Sequence, residues 1–433
     1  MKKINNFLDK NIEKILLIYL MLQPFLDVVA AISLNHFHIN NMISSILRLL
    51  FLIFCIYYLL VLNKTKNKKK NIKSLIILLV YLILFSIIDI KIKDLNAYLY
   101  DIKNTIDTFY LPIILITFID MFKQYKIKID LRFIVYLYMI YVVLVLIPNI
   151  THTGFISYSH SKLGNIGWFL SANAVGNILS ILTPFLLYYL YKSKISNWLK
   201  IFIILSTIYV FFSMGTKVPI LSLMICILIN FIYFLIKWLK EKKYKNILIG
   251  IDSLLMVILL SLIIMPNTSF YKNIEIHKDY LKIDGFKEVF ADYELVDHFI
   301  FSQRLTFLEN TRFNYQKSST LEHLFGIGYI ENYGTDQVNT KMIEIDYYEI
   351  FYRHGIVGIV VYITIILSSI ISCVKELKEN SLINLEFVIS VILIALLSLF
   401  SGHILVTPAV SIYVALIFTM MLYKFNFEDE IYL

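Results

Sequence analysis

Residues with the types and spacing to do chemistry fall in five places. Arg304 opens the run Arg304-Leu305-Thr306-Phe307-Leu308, and Arg312 follows two turns on. Lys217 sits in Ser213-Met214-Gly215-Thr216-Lys217-Val218-Pro219, a tight turn whose Pro219 suits the first turn of a helix. Helix-start amides beside a lysine offer a site for an anion, although a lone lysine at a membrane edge also serves simply as an interfacial anchor. Glu344 and Asp346 stand in Glu344-Ile345-Asp346-Tyr347-Tyr348-Glu349, ahead of Gly355 and Gly358. Acids here complement the macrodipole of a helix that starts at this point, and Glu349 and Arg353 are an i,i+4 pair. Asp27 and Arg48 interrupt two apolar runs, where charge is costly and is either an interhelical ion pair or a substrate contact. Asn173 lies in Ser171-Ala172-Asn173-Ala174-Val175-Gly176-Asn177, whose small and amide residues suit close helix packing or the polar wall of a cavity.

These residues must be positioned by a membrane bundle. The chain has 433 residues, 59% hydrophobic and 16% charged, against about 25% charged in ordinary soluble domains. That composition excludes both a soluble globule and a disordered chain. The expected fold class is all-α, a polytopic membrane helical bundle with about twelve spans. They read at 13–33, 42–62, 73–89, 105–122, 133–150, 167–190, 200–213, 218–237, 246–265, 349–373, 384–401 and 404–423. The seventh is short, and Pro112 interrupts the fourth. The first apolar run is long enough to span and lacks a small-residue cleavage site, so it reads as a retained helix.

Loop charge orients the map. Counting span-edge residues, alternate short loops carry 20 Lys and Arg on one side and 5 on the other. By the positive-inside rule both termini are then cytoplasmic. This also explains the net charge of +9 without nucleic acid. One connection stands apart: residues 266–348 form an extracytoplasmic loop between spans nine and ten, dividing the chain into 1–265, 266–348 and 349–433. Stretches 286–300 and 302–316 have the mixed spacing of short amphipathic helices. Cys55, Cys226 and Cys373 lie in apolar runs and give no disulfide framework. Nine scattered histidines form no metal-ligand pattern, and no cofactor is expected.

The sequence resembles the bacterial O-antigen ligase and O-antigen polymerase superfamily, integral membrane enzymes that handle lipid-linked glycans. The resemblance spans the whole plan and is sharpest at four motifs. The Asn173 segment is similar to the family's Asn- and Gly-rich stretch. Ser213 to Lys217 is similar to its Ser-x-Ser-Arg-type turn, with Lys217 where Arg is more usual. Arg304 to Leu308 matches its Arg-x-x-x-Leu motif. Glu344 to Gly355 matches the spacing of its His-plus-ten-residues-plus-Gly motif, with Glu344 in place of the His usual in ligases. Polymerase-like relatives often carry other residues there, acidic ones included.

The resemblance implies a glycan donor on a polyprenyl diphosphate, presented at the outer leaflet of the cytoplasmic membrane, and a glycan or glycolipid acceptor. The acceptor hydroxyl attacks the anomeric carbon and the diphosphate leaves. Such a step needs a base near the hydroxyl and positive charge near the diphosphate. Arg304, Lys217 and, more weakly, Arg312 are the expected diphosphate ligands. Glu344 is the expected group that activates or orients the hydroxyl, with Asp346 as its neighbour or substitute. Asn173, Asp27 and Arg48 are weaker cavity candidates, and Arg353 and His354 are left to the bundle rim or to packing. An unperturbed glutamate is a weak base near neutrality and would need burial or a carboxylate neighbour to strengthen it.

Polymerase precedes ligase because the motif His is absent. Lysine outnumbers arginine 35 to 5, the bias of an AT-rich genome, which fits several Gram-positive groups and a product such as capsule or teichoic acid. A transporter or flippase of lipid-linked glycan is the expectation of another class. Its usual related halves are not visible here.

Overall fold

The computed structural model describes residues 2–38, 43–157, 163–242, 244–283, 286–375 and 381–422. Helices dominate: α1 (Lys2–Phe37), α2 (Ile43–Tyr57, continuing as one wider turn to Leu62), α3 (Lys68–Ile92), α4 (Leu95–Tyr125), α5 (Leu131–Thr151), α6 (Ala172–Lys192), α7 (Asn197–Ser213), α8 (Lys217–Glu241) and α9 (Tyr244–Ile264). Between α9 and the last three helices lie α10 (Ser269–Leu281), α11 (Phe286–Val289), α12 (Tyr293–Val296), α13 (Arg304–Lys317) and α14 (Thr320–Phe325). The chain then returns through α15 (Asp346–Val374), α16 (Leu382–Phe400) and α17 (Pro408–Leu422). Two isolated β-bridges, Ile156 with Asn165 and Glu331 with Asn339, are the extended pairings among the described residues.

Ten described helices are long and apolar enough to cross a membrane. This is a multi-pass membrane protein. The sequence map of twelve differs at two places: the seventh and twelfth positions are the shorter apolar helices Asn197–Ser213 and Pro408–Leu422. All residues of α17 from Pro408 to Met421 are buried, so it packs against protein rather than lipid. Irregular backbone at 401–407 precedes it, which is tolerated at that depth because Ser401, Gly402, Ile404 and Val406 are themselves buried. Pro112 does not break α4, which runs unbroken as one of the most buried helices. Conversely, α6 begins at Ala172, five residues later than the sequence suggests, where the Ser171 side chain accepts the Ala174 N–H at 3.2 Å.

Polar side chains tie the helices together inside. Arg48 pairs with Asp27 at 2.5 Å and also donates to Gln23 and Ser44. Asp120 accepts from the amides of Asn63 and Asn71, both at 2.5 Å. Cys55, Cys226 and Cys373 are buried and free.

The 266–345 segment packs on one end of the bundle, here termed the loop-bearing end. Lys93 at the close of α3 pairs with Asp89 and Asp101 and donates to the Ile327 carbonyl. Asp101 in α4 accepts the N–H groups of Tyr329 and Ile330, both at 3.0 Å. The Asn273 amide of α10 bridges the Leu163 and Gly215 carbonyls beside the α7–α8 turn. The segment also enters α15. Gly355 has φ 64° and ψ −171°, which breaks the helix there. The freed carbonyls of Tyr352 and Arg353 accept the N–H groups of Ile327 and Gly328 at 3.1 and 3.2 Å. The glycine that closes the Glu344-to-Gly355 spacing is thus needed for backbone shape: a Cβ there would overlap the Leu324 carbonyl and the Gly326 N–H.

Candidate active site

Arg304 is the first residue of α13, and its position is set by Asp297. The Asp297 carboxylate accepts the N–H groups of Leu305 and Thr306, each at 2.9 Å, and the Thr306 hydroxyl at 2.7 Å. Capping in this way fixes the start of α13. The guanidinium is then 7% exposed. Its Nη1 donates to the Phe301 and Phe400 carbonyls at 3.2 and 3.1 Å, and its Nη2 to Glu344 Oε2 at 3.0 Å. Nε is buried with no protein partner. Lys217, the first residue of α8, reaches the same approach to α13: its ammonium donates to the Phe299 carbonyl and lies 4.1 Å from the Phe299 ring centroid.

Glu344 lies just before α15 with φ 60°, and it faces the 401–403 turn between α16 and α17. Four hydrogen bonds, from two residues, clamp that turn. Asp346 accepts the N–H groups of His403, Ile404 and Leu405 at 2.7, 2.9 and 2.8 Å. Asn177 of α6 donates to the Gly402 carbonyl at 2.8 Å. Gly402 has φ 63°, and a Cβ on it would overlap the Glu344 backbone. His403, also left-handed at φ 62°, brings its Nε2 to 4.0 Å from Glu344 Oε2. Lys341 Nζ lies 3.4 Å from Oε1.

Electrostatics follow from this arrangement. Burial pushes the Glu344 carboxyl up, but the neighbouring His403, Arg304 and Lys341 outweigh it and hold the group below the ordinary glutamate range. Glu344 is therefore a carboxylate with low proton affinity, suited to orienting a donor rather than to removing a proton. Around it, Arg304 Nε, Asn177 Oδ1 and Ser401 Oγ are buried polar atoms without protein partners, hydrogen-bonding capacity concentrated at one turn.

The structure thus brings Arg304, Glu344 and Asp346 together and directs Lys217 to the segment leading into Arg304. Asp346 stands beside Glu344 at the same turn, with both its oxygens accepting backbone N–H groups of 403–405. Asn173 is partly buried one turn before Asn177, on the same side of α6. Arg312 is exposed, and its charge acts on Tyr352. Asp27 and Arg48 form an interhelical pair on α1 and α2, apart from this cluster. A separate cavity of 410 Å³ at the opposite end of α6 to α8 is apolar around Asn230 and Glu386 and holds none of these candidates.

One residue went unread in the sequence, and another group was read in part, since the i,i+4 pair of Glu349 with Arg353 forms as expected. His403 fell in the two-residue gap between the last two spans, and the only local signal was a histidine beside a glycine ahead of a short helix. Arg353 and His354 are fully buried, away from any rim. Arg353 pairs with Glu331 at 2.6 Å and Glu349 at 3.0 Å and donates to the Gly328 and Lys341 carbonyls. Glu331 also accepts from Thr311 and Asn314, and Glu349 from the Ile343 N–H. His354 Nε2 meets the Tyr329 hydroxyl at 3.1 Å. Among the described residues, no three His, Cys, Asp or Glu side chains gather as metal ligands.

Helices long and apolar enough to span a bilayer make this a multi-pass membrane protein. The family model described as O-antigen ligase like membrane protein matches residues 9–288 and 278–428, and the chain belongs to that family. Comparison with curated proteins and with solved structures gives no significant match. Membership places the chain among membrane enzymes that ligate or polymerise lipid-linked glycans.

Proposed function

We propose that the protein polymerises repeat units of a cell-surface polysaccharide, a capsule or a teichoic-acid-like chain, at the outer face of the cytoplasmic membrane. Its termini face the cytoplasm, and the loop-bearing end faces outward. The donor is a glycan on a polyprenyl diphosphate. Arg304, assisted by Lys217, receives the diphosphate as it leaves, because a guanidinium offers paired donors to phosphate oxygens. Glu344 aligns the acceptor hydroxyl for attack on the anomeric carbon. Asp346 and Asn177 fix the turn against which this happens, and Asn173 borders it.

The observation that carries the reading is the meeting of Arg304 and Glu344. They come from two separate motifs 40 residues apart, yet join at 3.0 Å with one guanidinium donor still unpaired. Transfer to a glycolipid or wall acceptor by ligation is the second reading, and the family's own description favours it. The test uses purified protein in proteoliposomes with a labelled polyprenyl-diphosphate oligosaccharide. Lengthened glycan on the same lipid supports polymerisation, and glycan on an added glycolipid supports ligation. Movement of intact lipid-linked glycan across the bilayer without transfer would replace both with a flippase.

A further inference from the structure

We infer that His403 is the catalytic base of the transfer step, with Glu344 as its charge partner. The inference rests on the glycosyl-transfer reading above and assigns the proton that reading leaves without a destination. Glu344 stands at the motif position where ligases of the family usually carry histidine, and its carboxylate has low proton affinity. The imidazole is supplied instead by a different element, the turn before α17.

The geometry favours this assignment at three points. First, the local fold is shaped to deliver His403. Glu344 and His403 are both left-handed non-glycine residues, a conformation of about 1–2 kcal/mol cost for side chains of this kind, and they face each other across a contact that requires Gly402. Asp346 and Asn177 hold the same turn through four backbone hydrogen bonds. Second, the ring is oriented. Thr407 Oγ1 lies 3.5 Å from Nδ1, so the hydroxyl can accept the Nδ1 proton and leave the Nε2 lone pair open. Third, the 4.0 Å between Nε2 and Glu344 Oε2 is too long for a direct hydrogen bond, so Nε2 can take the single proton of a hydroxyl while the carboxylate stands near enough to stabilise the charge that forms on the ring.

The step balances as follows. The acceptor hydroxyl gives its proton to His403 Nε2 as its oxygen forms the new bond to the anomeric carbon. The bond from that carbon to the diphosphate oxygen breaks, and the electron pair leaves with the polyprenyl diphosphate, received by Arg304. The imidazolium formed beside Glu344 is stabilised by the carboxylate and later returns its proton to solvent. The charged groups around the ring are Glu344 and Asp346 at the start of α15, with Arg304 of α13 and Lys341 acting on the same carboxylate.

The test compares His403→Asn, which suits a left-handed backbone, with wild type and Arg304→Ala in the same proteoliposome assay. His403→Asn is expected to lower turnover at least about 100-fold, the usual worth of a positioned base, with its thermal melt unchanged. Its residual rate should lose the acidic limb of the pH profile. His403→Gly, which also tolerates the backbone, should regain activity when imidazole is added to the buffer. Turnover of His403→Asn within about threefold of wild type, or a residual rate that keeps its acidic limb, overturns the inference. If Arg304→Ala abolishes transfer in that same experiment, the glycosyl-transfer reading stands while the histidine assignment falls. If Arg304→Ala also remains active, the assignment of the site to the Arg304 cluster fails with it, whereas absence of transfer by wild type removes the glycosyl-transfer reading itself.

Discussion

Two arginine–glutamate clusters sit within one short stretch of chain, and their environments differ sharply. Arg353, Glu331 and Glu349 are at most 2% exposed at their side chains, and each makes further hydrogen bonds to backbone or side-chain groups. Arg304 and Glu344 are joined by one bond, Glu344 is 22% exposed, and the arginine keeps an unpaired Nε. The first cluster is closed: it seals the segment 327–331 against the broken helix α15. The second is open on one side and lined by strained backbone. The same pair of residue types thus serves as a structural lock in one place and as a poised site in the other, and completeness of hydrogen bonding separates the two.

Substitutions can break or sharpen that contrast. The largest effect belongs to Arg353→Ala, which leaves two buried carboxylates uncompensated at a cost of about 3–5 kcal/mol. Loss of folded protein from detergent extracts, read by size-exclusion chromatography, is the expected outcome. A monodisperse, active Arg353→Ala protein would erase the distinction. Arg304→Ala should do the reverse: the protein folds, and transfer falls about 100- to 1000-fold, as for loss of a group that stabilises developing charge.

A smaller effect is expected from pH. Glu344 is held below the ordinary glutamate range, so its ionised form is bound more tightly in the folded protein than in the unfolded chain. Its contribution to stability is full above about pH 5 and is lost as pH falls through the ordinary glutamate range and below. Thermal melts of wild type and Glu344→Gln should therefore converge as pH falls through the ordinary glutamate range and below it. A difference that grew as pH fell through that range would contradict the account. The smallest effect concerns the Asp27–Arg48 pair. Ser44→Ala removes one of its supporting bonds, made within α2, and should cost about 0.5 kcal/mol, the lower end of the net worth of a hydrogen bond. A thermal melt checks it, and transfer should be unaltered.

Much of this was written locally in the chain. Apolar runs and loop lysines report the surrounding solvent directly, so the bundle and most helices could be read. Arg304, Glu344 and Lys217 were legible because each sits in a short motif. What escaped depends on contacts distant in sequence. Arg353 is buried because Glu331, 22 residues upstream, comes beneath it, and no periodicity of α15 encodes that partner. His403 lies 59 residues beyond Glu344, and its placement needs Asp346, Asn177 and Gly402 together. Asp346 was singled out through its neighbour's motif, but the three backbone N–H groups on its oxygens were not visible there. The burial of α17 on all sides is likewise something hydropathy alone does not reveal.

The central claim is that the open cluster, and not the sealed one, handles a lipid-linked glycan. Its most direct measurement is release of polyprenyl diphosphate from a labelled lipid-linked oligosaccharide by purified wild type and Arg304→Ala in proteoliposomes at equal folded concentration. The account predicts stoichiometric release coupled to glycan transfer by wild type and at least about a 100-fold lower rate for Arg304→Ala. Equal release by the two proteins, or none by wild type, would contradict it.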